Sequence, residues 1–353
     1  MHHPAARALA LVPFDPHQAT PEEWGRLHAY RRVRLAEDFP GDPLVPDADF
    51  EHALREPHPL HQMQRIMAAR GDDYVGNLVL TWRRPGSPNH ADHAPFVDAG
   101  GGVPLAHRRQ GVGTALLGAL HGFMAAHGQS VVSLKVQSAE GRAFMAARGA
   151  ELRLRSVENR LPFHGLDWSA LARWQAQATS PGDGLRWETH AGRVPMPRLA
   201  QLMEPLTTLI NEQPLGSLEM PRIRYTLEGY DRWYADMDRR GGEHFMVLLC
   251  HGEALVAVCD ASWDARFADR VYQQLTAVAQ PWRGRGLAKG VKAAMLQLIH
   301  ARHPGVRTMI TTNAEANGPM LSINQRLGFA MHREEGTYQF TLDALAPWAQ
   351  AGQ

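Results

Sequence analysis

Two stretches place arginine and glycine where they could hold an anion. The first, "PWRGRGLAKGVKAAM", runs from Pro281 to Met295. Glycine weakens a helix, so at least some of Gly284, Gly286 and Gly290 should answer to something other than helix stability. Just upstream, "QLTAV" (Gln274 to Val278) reads as a strand. Strand, glycine turn and helix together aim backbone N–H groups at an anion. The second stretch, "VPLAHRRQGVGTALLGAL" from Val103, repeats this design: Arg108, Gly111 and Gly113 align with Arg283, Gly286 and Ala288. A GxGxxG dinucleotide fingerprint fails, because "GRGLAK" has Lys289 in the third glycine's place. Neither copy ends in the Gly-Lys-Ser/Thr of a GxxxxGK[ST] loop. What they share is Arg-x-x-Gly-x-Gly/Ala directly after a strand, which lets the backbone approach a pyrophosphate with an arginine beside it.

The elements that must position these turns are themselves repeated. After the first turn and its helix come a strand, "VVSLKV" (Val131 to Val136), and a second helix ending in "FMAARGAEL" (Phe144 to Leu152). After the second come "RTMITT" (Arg307 to Thr312) and "MLSINQRLGFAM" (Met320 to Met331). Upstream, "YVGNLVLTW" (Tyr74 to Trp82) matches "EALVAVCDASW" (Glu253 to Trp263), each a strand pattern led by a glycine turn. Each half opens with helical segments, Pro21 to Phe39 and Met196 to Glu212. Thr20 as N-cap, Pro21 at N1 and Glu22 and Glu23 in the first turn mark the start of the first. The chain therefore reads as two α+β units in tandem. The expected division is residues 1–177, a turn-rich linker at 178–185 ("ATSPGDGL"), and residues 186–353.

Length and composition agree with two globular domains. The chain has 353 residues, 44% apolar and 21% charged, and a formal charge of +1 that offers no general attraction to nucleic acid. All but three of the 37 basic residues are arginine; Lys135, Lys289 and Lys292 are the lysines. "HRRQG" and "WRGRG" are single loops rather than a basic face with interleaved aromatics, which argues against a nucleic-acid partner. The 19 histidines show no convincing metal-ligand spacing, so no metal is expected. Cys250 and Cys259 read as buried free thiols of a reducing compartment. No stretch approaches the ~18 apolar residues of a membrane span, so the expected location is the cytoplasm, without membrane contact.

These motifs resemble the acyl-CoA signature of the GCN5-related N-acetyltransferase (GNAT) superfamily, Arg/Gln-x-x-Gly-x-Gly/Ala after a strand. Val103 and Val278 stand where that strand often bears valine, and "NAEANGPMLSINQRLGF" (Asn313 to Phe329) resembles the family's next motif. The likeness covers both halves and is strongest over residues 103–150 and 276–330. It implies two tandem GNAT-like domains, each a mixed, mostly antiparallel sheet flanked by helices, with acetyl-CoA as cofactor. It also implies that the amides of Arg283, Gly284, Arg285, Gly286, Leu287 and Ala288 bind the cofactor's pyrophosphate. The backbone of Thr276, Ala277 and Val278 would pair with its pantetheine arm, and Asn317 would bond to it further on. In the first copy the matching residues are Val103 and then Arg108, Arg109, Gln110, Gly111, Val112, Gly113 and Thr114.

The catalytic positions depart from the family pattern. Many relatives carry a tyrosine acid five residues before the phenylalanine of Gly-Phe; here that place holds Asn324 in the second copy and Met145 in the first. Asn324 can donate a hydrogen bond to a thiolate, and methionine cannot. Tyr338 or Tyr272 are alternative proton donors, and Glu219 or Glu315 are carboxylates that could face the amine. The expectation is direct transfer of an acetyl group to a primary amine of a small molecule or peptide, in the C-terminal copy. The N-terminal copy would bind cofactor or brace the acceptor site. The alternative is a non-catalytic acyl-CoA-binding or sensing protein.

Overall fold

The computed structural model describes residues 8–350 apart from Pro57, Pro59 and Pro88. The first half forms β1 (Leu9–Phe14), α1 (Pro21–Asp38), α2 (Asp47–Arg55), β2 (His61–Arg70), β3 (Asp73–Arg83), α3 (His90–His93), β4 (Phe96–Gly102), α4 (Val112–His127), β5 (Val131–Val136), α5 (Ala139–Ala147) and β6 (Glu151–Pro162). The second forms α6 (Trp168–Ala176), β7 (Leu185–Gly192), α7 (Met196–Asn211), α8 (Leu227–Arg239), β8 (Glu243–His251), β9 (Ala254–Trp263), β10 (Arg270–Val278), α9 (Leu287–Arg302), β11 (Thr308–Ala314), α10 (Gly318–Leu327), β12 (Ala330–Thr341) and α11 (Leu342–Leu345). The start of α1 is a complete capping box. Thr20 Oγ1 accepts from Glu23 N at 3.2 Å, and the Glu23 carboxylate accepts from Thr20 N at 2.8 Å. No helix among the described residues is long and apolar enough to cross a membrane.

These elements make two compact units. Among the described residues, unit 1 holds those up to Leu154, Ser217–Pro221 and those from Glu335 onward; unit 2 holds Arg155–Gly216 and Arg222–Glu334. The units thus part at Leu154 and Glu335, whereas the 178–185 segment, expected to be a linker, lies inside unit 2. The cause is an exchange of strands. Gly336–Thr341 of β12 pair antiparallel with Val131–Val136 of β5, so the second half's last strand completes unit 1. Ser156–Pro162 of β6 pair with Thr308–Ala314 of β11, so the first half's last strand belongs to unit 2. The helix after each strand follows it. Leu171 and Ala178, in and just after α6, pack into the core under α9, and Leu345 of α11 packs into the core under α4.

In unit 1 the strand order is β1-β2-β3-β4-β5-β12, antiparallel except for β4 beside β5. A parallel pair needs a crossover, and α4 supplies it. Leu116, Leu117 and Leu120 of α4 bury against Leu80, Val97, Val132, Leu134, Tyr338 and Phe340. The other face carries α1, whose Trp24, Leu27 and Tyr30 meet Phe14, Met67 and Tyr74. Unit 2 has the order β6-β11-β10-β9-β8-β7, again antiparallel except for β10 beside β11. Alternation along β8 serves both of its faces. Phe245, Val247 and Leu249 meet α9, while Met246, Leu248 and Cys250 meet α7 and α8. Each unit is the expected mixed, mostly antiparallel sheet flanked by helices. Both cysteines are free and buried.

Candidate functional site

The two glycine turns have the same backbone. Gly284 and Gly286 take φ of 80° and 77°, and their counterparts Arg109 and Gly111 take 60° and 81°. In each turn the arginine fastens the strand's end to the loop: Arg283 Nε donates to Val278 O at 3.0 Å, and Arg108 Nε to Val103 O at 3.0 Å. A Cβ at Gly284, Gly286 or Gly111 would meet nothing within 4 Å. Those glycines therefore serve the left-handed conformation and leave the amides at the start of each helix bare, an arrangement able to face an anion. Gly290 does a different job. A Cβ there would lie 2.3 Å from Ala178 Cβ, so this glycine lets the segment after α6 approach α9 closely. Gly113 likewise faces the Phe144 ring, its Cβ position 3.2 Å away.

The strands beneath the turns differ more. In unit 2 the parallel pairing of β10 with β11 stops at Tyr272 and Ile310. Beyond Tyr272, β10 is paired only on its β9 side, and that ladder shifts between Gln273 and Thr276. The shift is a β-bulge, which leaves an extra residue's polar groups outside the ladder. No described side chain bonds to the backbone of Thr276 or Ala277. In unit 1 the parallel pairing of β4 with β5 ends at Ala99 and Leu134, but the β3–β4 ladder runs unbroken to Gly102. Its end is also occupied. Tyr30 Oη donates to Gly102 O at 2.9 Å, Gly102 N donates to Asn77 Oδ1 at 3.1 Å, and Arg34 Nη1 donates to Val103 O at 3.1 Å. Arg70 donates to both Gln110 Oε1 and Gln110 O, and Glu37 accepts from Leu105 N at 3.0 Å. Unit 1 has satisfied itself at the places unit 2 leaves open.

A buried polar chain runs under the unit 2 turn. Lys292, on α9, is only 2% exposed. Its ammonium donates to Gln273 Oε1 at 2.8 Å and to Asn324 Oδ1 at 2.7 Å, and it lies 5.0 Å from the centre of the Phe329 ring. Asn324 Nδ2 donates in turn to Asn313 Oδ1 at 2.7 Å. Gln273 Nε2 donates to Thr276 Oγ1 at 2.5 Å and to Cys259 Sγ at 3.0 Å. Burial pushes the Lys292 ammonium down to about 8, and the same burial pushes the Cys259 thiol up. Lys292, Gln273 and Asn313 were not among the residues singled out from the sequence. One signal was available: Lys292 stands in "GVKAAM", apolar on every side, in a chain with only three lysines.

The other expected residues fall in several places. Asn324 has both ends of its carboxamide engaged, by Lys292 and Asn313. Asn317 is the N-cap of α10, accepting from Met320 N at 3.3 Å. Tyr338 is buried on β12 and Glu219 lies in the Ser217–Pro221 segment, so both belong to unit 1 and not to the unit that holds Asn324. Glu219 N donates to Gln339 Oε1 at 3.0 Å, and its carboxylate sits 3.6 Å from Arg153. Tyr272, 37% exposed, is on β10, and Glu315 follows β11 with its N–H bonded to Arg155 O. Arg283 also pairs with Glu212, and the Arg285 guanidinium lies 4.7 Å from the centre of the Trp282 ring. Leu287 and Val112 are the buried first residues of α9 and α4, with Ala288 following Leu287. Thr114 Oγ1 accepts from Arg148 Nη2 at 3.2 Å.

No family model and no curated protein matches the sequence. Solved structures do. A tandem GNAT protein from the clavulanic acid biosynthesis pathway, determined without AcCoA, superposes with a TM-score of 0.72 at 22% identity, covering 95% of this chain and 99% of its own. A GCN5-related N-acetyltransferase from Sphaerobacter thermophilus gives 0.64 at 14% identity, covering 94% and 96%. The glucosamine N-acetyltransferase region of a fungal multi-domain GH3 β-N-acetylglucosaminidase gives 0.64 at 13%, covering 95% of this chain and 38% of that one. The chain has the tandem GNAT fold.

Proposed function

From that fold we propose an acetyl-CoA-dependent N-acetyltransferase that moves an acetyl group to a primary amine of a small molecule or peptide, with unit 2 as the active unit. The observation that carries this reading is the open end of β10. Bare amides at Gly284–Leu287, an unpaired strand edge at Thr276 and Ala277 and a bulge beside Gln273 come together in unit 2. These groups fit the cofactor piece by piece. The turn amides and the start of α9 would hold the pyrophosphate, with Arg285 exposed beside them. The edge of β10 would pair with the pantetheine amides. Backbone N–H groups freed by the bulge are donors for an acyl carbonyl. Bound acetyl-CoA would supply the activated acyl group; the chain's own groups orient it and stabilise charge. Unit 1, with the same turn but its strand end taken by Tyr30, Asn77 and Arg34, fits a bracing or weakly binding role.

The test is a CoA-release screen over amines, amino acids, aminoglycosides and peptide N-termini, run beside thermal denaturation with acetyl-CoA. Turnover of at least one amine and a Tm raised by millimolar acetyl-CoA are expected, with a smaller rise from adenine nucleotides that lack pantetheine. An unmoved Tm sinks the acyl-CoA reading. A raised Tm without turnover on any amine favours the binding or sensing alternative.

A further inference from the structure

In unit 2 a charged amine is buried behind two carboxamides, and the chain of bonds ends on one of the strands flanking the β10–β11 opening. Lys292 sits on α9 with its ammonium held by Gln273, beside the bulge of β10, and by Asn324 of α10. Asn324 holds Asn313 by its Oδ1, and Asn313 is the half-buried residue near the end of β11, past the point where that strand leaves β10. The Nδ2 of Asn313 has no protein partner among the described residues. Unit 1 lacks every part of this. By position after the turn, Lys292 corresponds to Leu117. By the backbone bond that closes the helix, Phe329 N to Asn324 O as Ala150 N to Met145 O, Asn324 corresponds to Met145. By the ladder, in which Val271 pairs with Trp263 as Val97 pairs with Trp82, Gln273 corresponds to Ala99. Leu117 and Ala99 are buried, and Met145 packs against the same apolar core.

We infer that Lys292 is a positioning residue for acyl transfer, whose charge, passed through Asn324, fixes and polarises Asn313 as a hydrogen-bond donor toward the leaving sulfur. The inference rests on the transferase reading of unit 2. Transfer forms a bond between the amine nitrogen and the acyl carbon and breaks the bond from that carbon to sulfur. The electron pair of the broken bond stays on sulfur, and the proton lost by the amine ends there to give the thiol. A donor chain polarised by a cation stabilises sulfur while it carries that charge. Placing the lysine itself at the thioester would instead offer a competing amine to the acyl group. Two carboxamides convey the charge and keep the amine out of reach.

The groups around Lys292 allow the charge to persist. Gln273 faces it from β10, Met320 and Asn324 from α10, Phe329 from the start of the last strand, and Cys259 from β9. Cys259 is the one titratable group acting on it among the described residues, and burial holds that thiol protonated. With its value lowered to about 8, the amine is charged at neutral pH and loses its charge in mildly alkaline solution.

The decisive variant copies unit 1 into unit 2: Lys292→Leu, Asn324→Met and Gln273→Ala together, which replaces the buried charge and the carboxamides that hold it by an apolar set and takes one donor each from Asn313, Thr276 and Cys259. The inference expects Tm and the KM for acetyl-CoA to stay close to wild type while kcat falls on the order of 10²-fold. Asn313→Ala should reproduce the fall in kcat. In wild type relative to the triple variant, kcat should decline as pH rises through the Lys292 titration. That titration is read without substrate from the ¹⁵Nζ signals of the three lysines, Lys292 being assigned by its loss in the triple variant. A triple variant with wild-type kcat, or a Lys292 amine already neutral at pH 7, overturns the polarising role and leaves the transferase reading standing. A raised KM together with a lowered Tm, with kcat kept, reduces the chain to a structural strut. A wild type that turns over no amine overturns the transferase reading and this role with it.

Discussion

Unit 1 and unit 2 share one turn and differ in everything under it. Both fasten an arginine to the carbonyl that precedes the turn at 3.0 Å, and both set two residues in the left-handed region before a helix. Under the unit 1 turn the β3–β4 ladder is unbroken, the strand's last polar atoms are bonded to Tyr30, Asn77 and Arg34, and the core is apolar. Under the unit 2 turn the ladder bulges, the strand edge is open, and a lysine with two carboxamides, Asn324 and Gln273, stands where unit 1 has leucine, methionine and alanine. An anion turn kept after the groups beneath it have closed up is a poor guide to which unit works. On the proposed function, the strand end is what separates them. A left-handed residue other than glycine costs roughly 1–2 kcal/mol, so Arg109 at φ 60° shows that unit 1 tolerates strain to keep the turn's shape.

The comparison is most exposed at the turn glycines. Gly286→Glu puts a carboxylate among the bare amides of unit 2 and should lower kcat/KM by at least ~10²-fold, while its left-handed backbone costs about 1–2 kcal/mol of stability, the same strain that Gly111→Glu carries. Gly111→Glu should leave kcat/KM within a few-fold. The reverse order of the two in a CoA-release assay would move the active site to unit 1. Next in size are the exchanged strands. Phe340→Ala on β12 should cost about 3–5 kcal/mol and Leu161→Ala on β6 about 2–5. If each unit depends on its borrowed strand, proteolysis should nick unit 1 first in the Phe340 variant and unit 2 first in the Leu161 variant. Cleavage confined in each case to the half that supplies the mutated residue would break that account. Smallest is Gly290→Ala, whose methyl would press on Ala178; denaturant unfolding should show a loss of about 1–3 kcal/mol, against a gain of about 0.5–1 for Gly122→Ala inside α4, where nothing lies within 4 Å.

The repeat, the turns and most elements were legible in the sequence because each rests on local physics. Glycine at left-handed positions, Thr20 with Glu23 at a helix start, and period-2 runs such as "VVSLKV" need no knowledge of partners. The exchange was not legible. β6 and β12 occupy the same place in their repeats, and nothing local to either strand says whether it pairs with β5 or with β11. Lys292 was missed for a related reason. A lysine on a helix reads as solvated until its neighbours on the sheet and on α10 are known. Asn324 was found by its place in a motif, but its engagement at both ends by Lys292 and Asn313 depends on residues 32 and 11 positions away.

The borrowed strands also impose a timetable on synthesis. Ser133 of β5 and Gln339 of β12 are hydrogen-bonded although 206 residues separate them. At ~5–20 residues per second a ribosome delivers β5 roughly 10–40 s before the strand that covers it. Through that interval the nascent first half carries a sheet edge with nothing on it, the kind of edge that recruits foreign strands. Unit 2 has no such delay, because β6 has already emerged when β11 appears. The part of the protein that is translated first is therefore the last to close, and its yield in a cell should depend on whatever shields β5 while it waits.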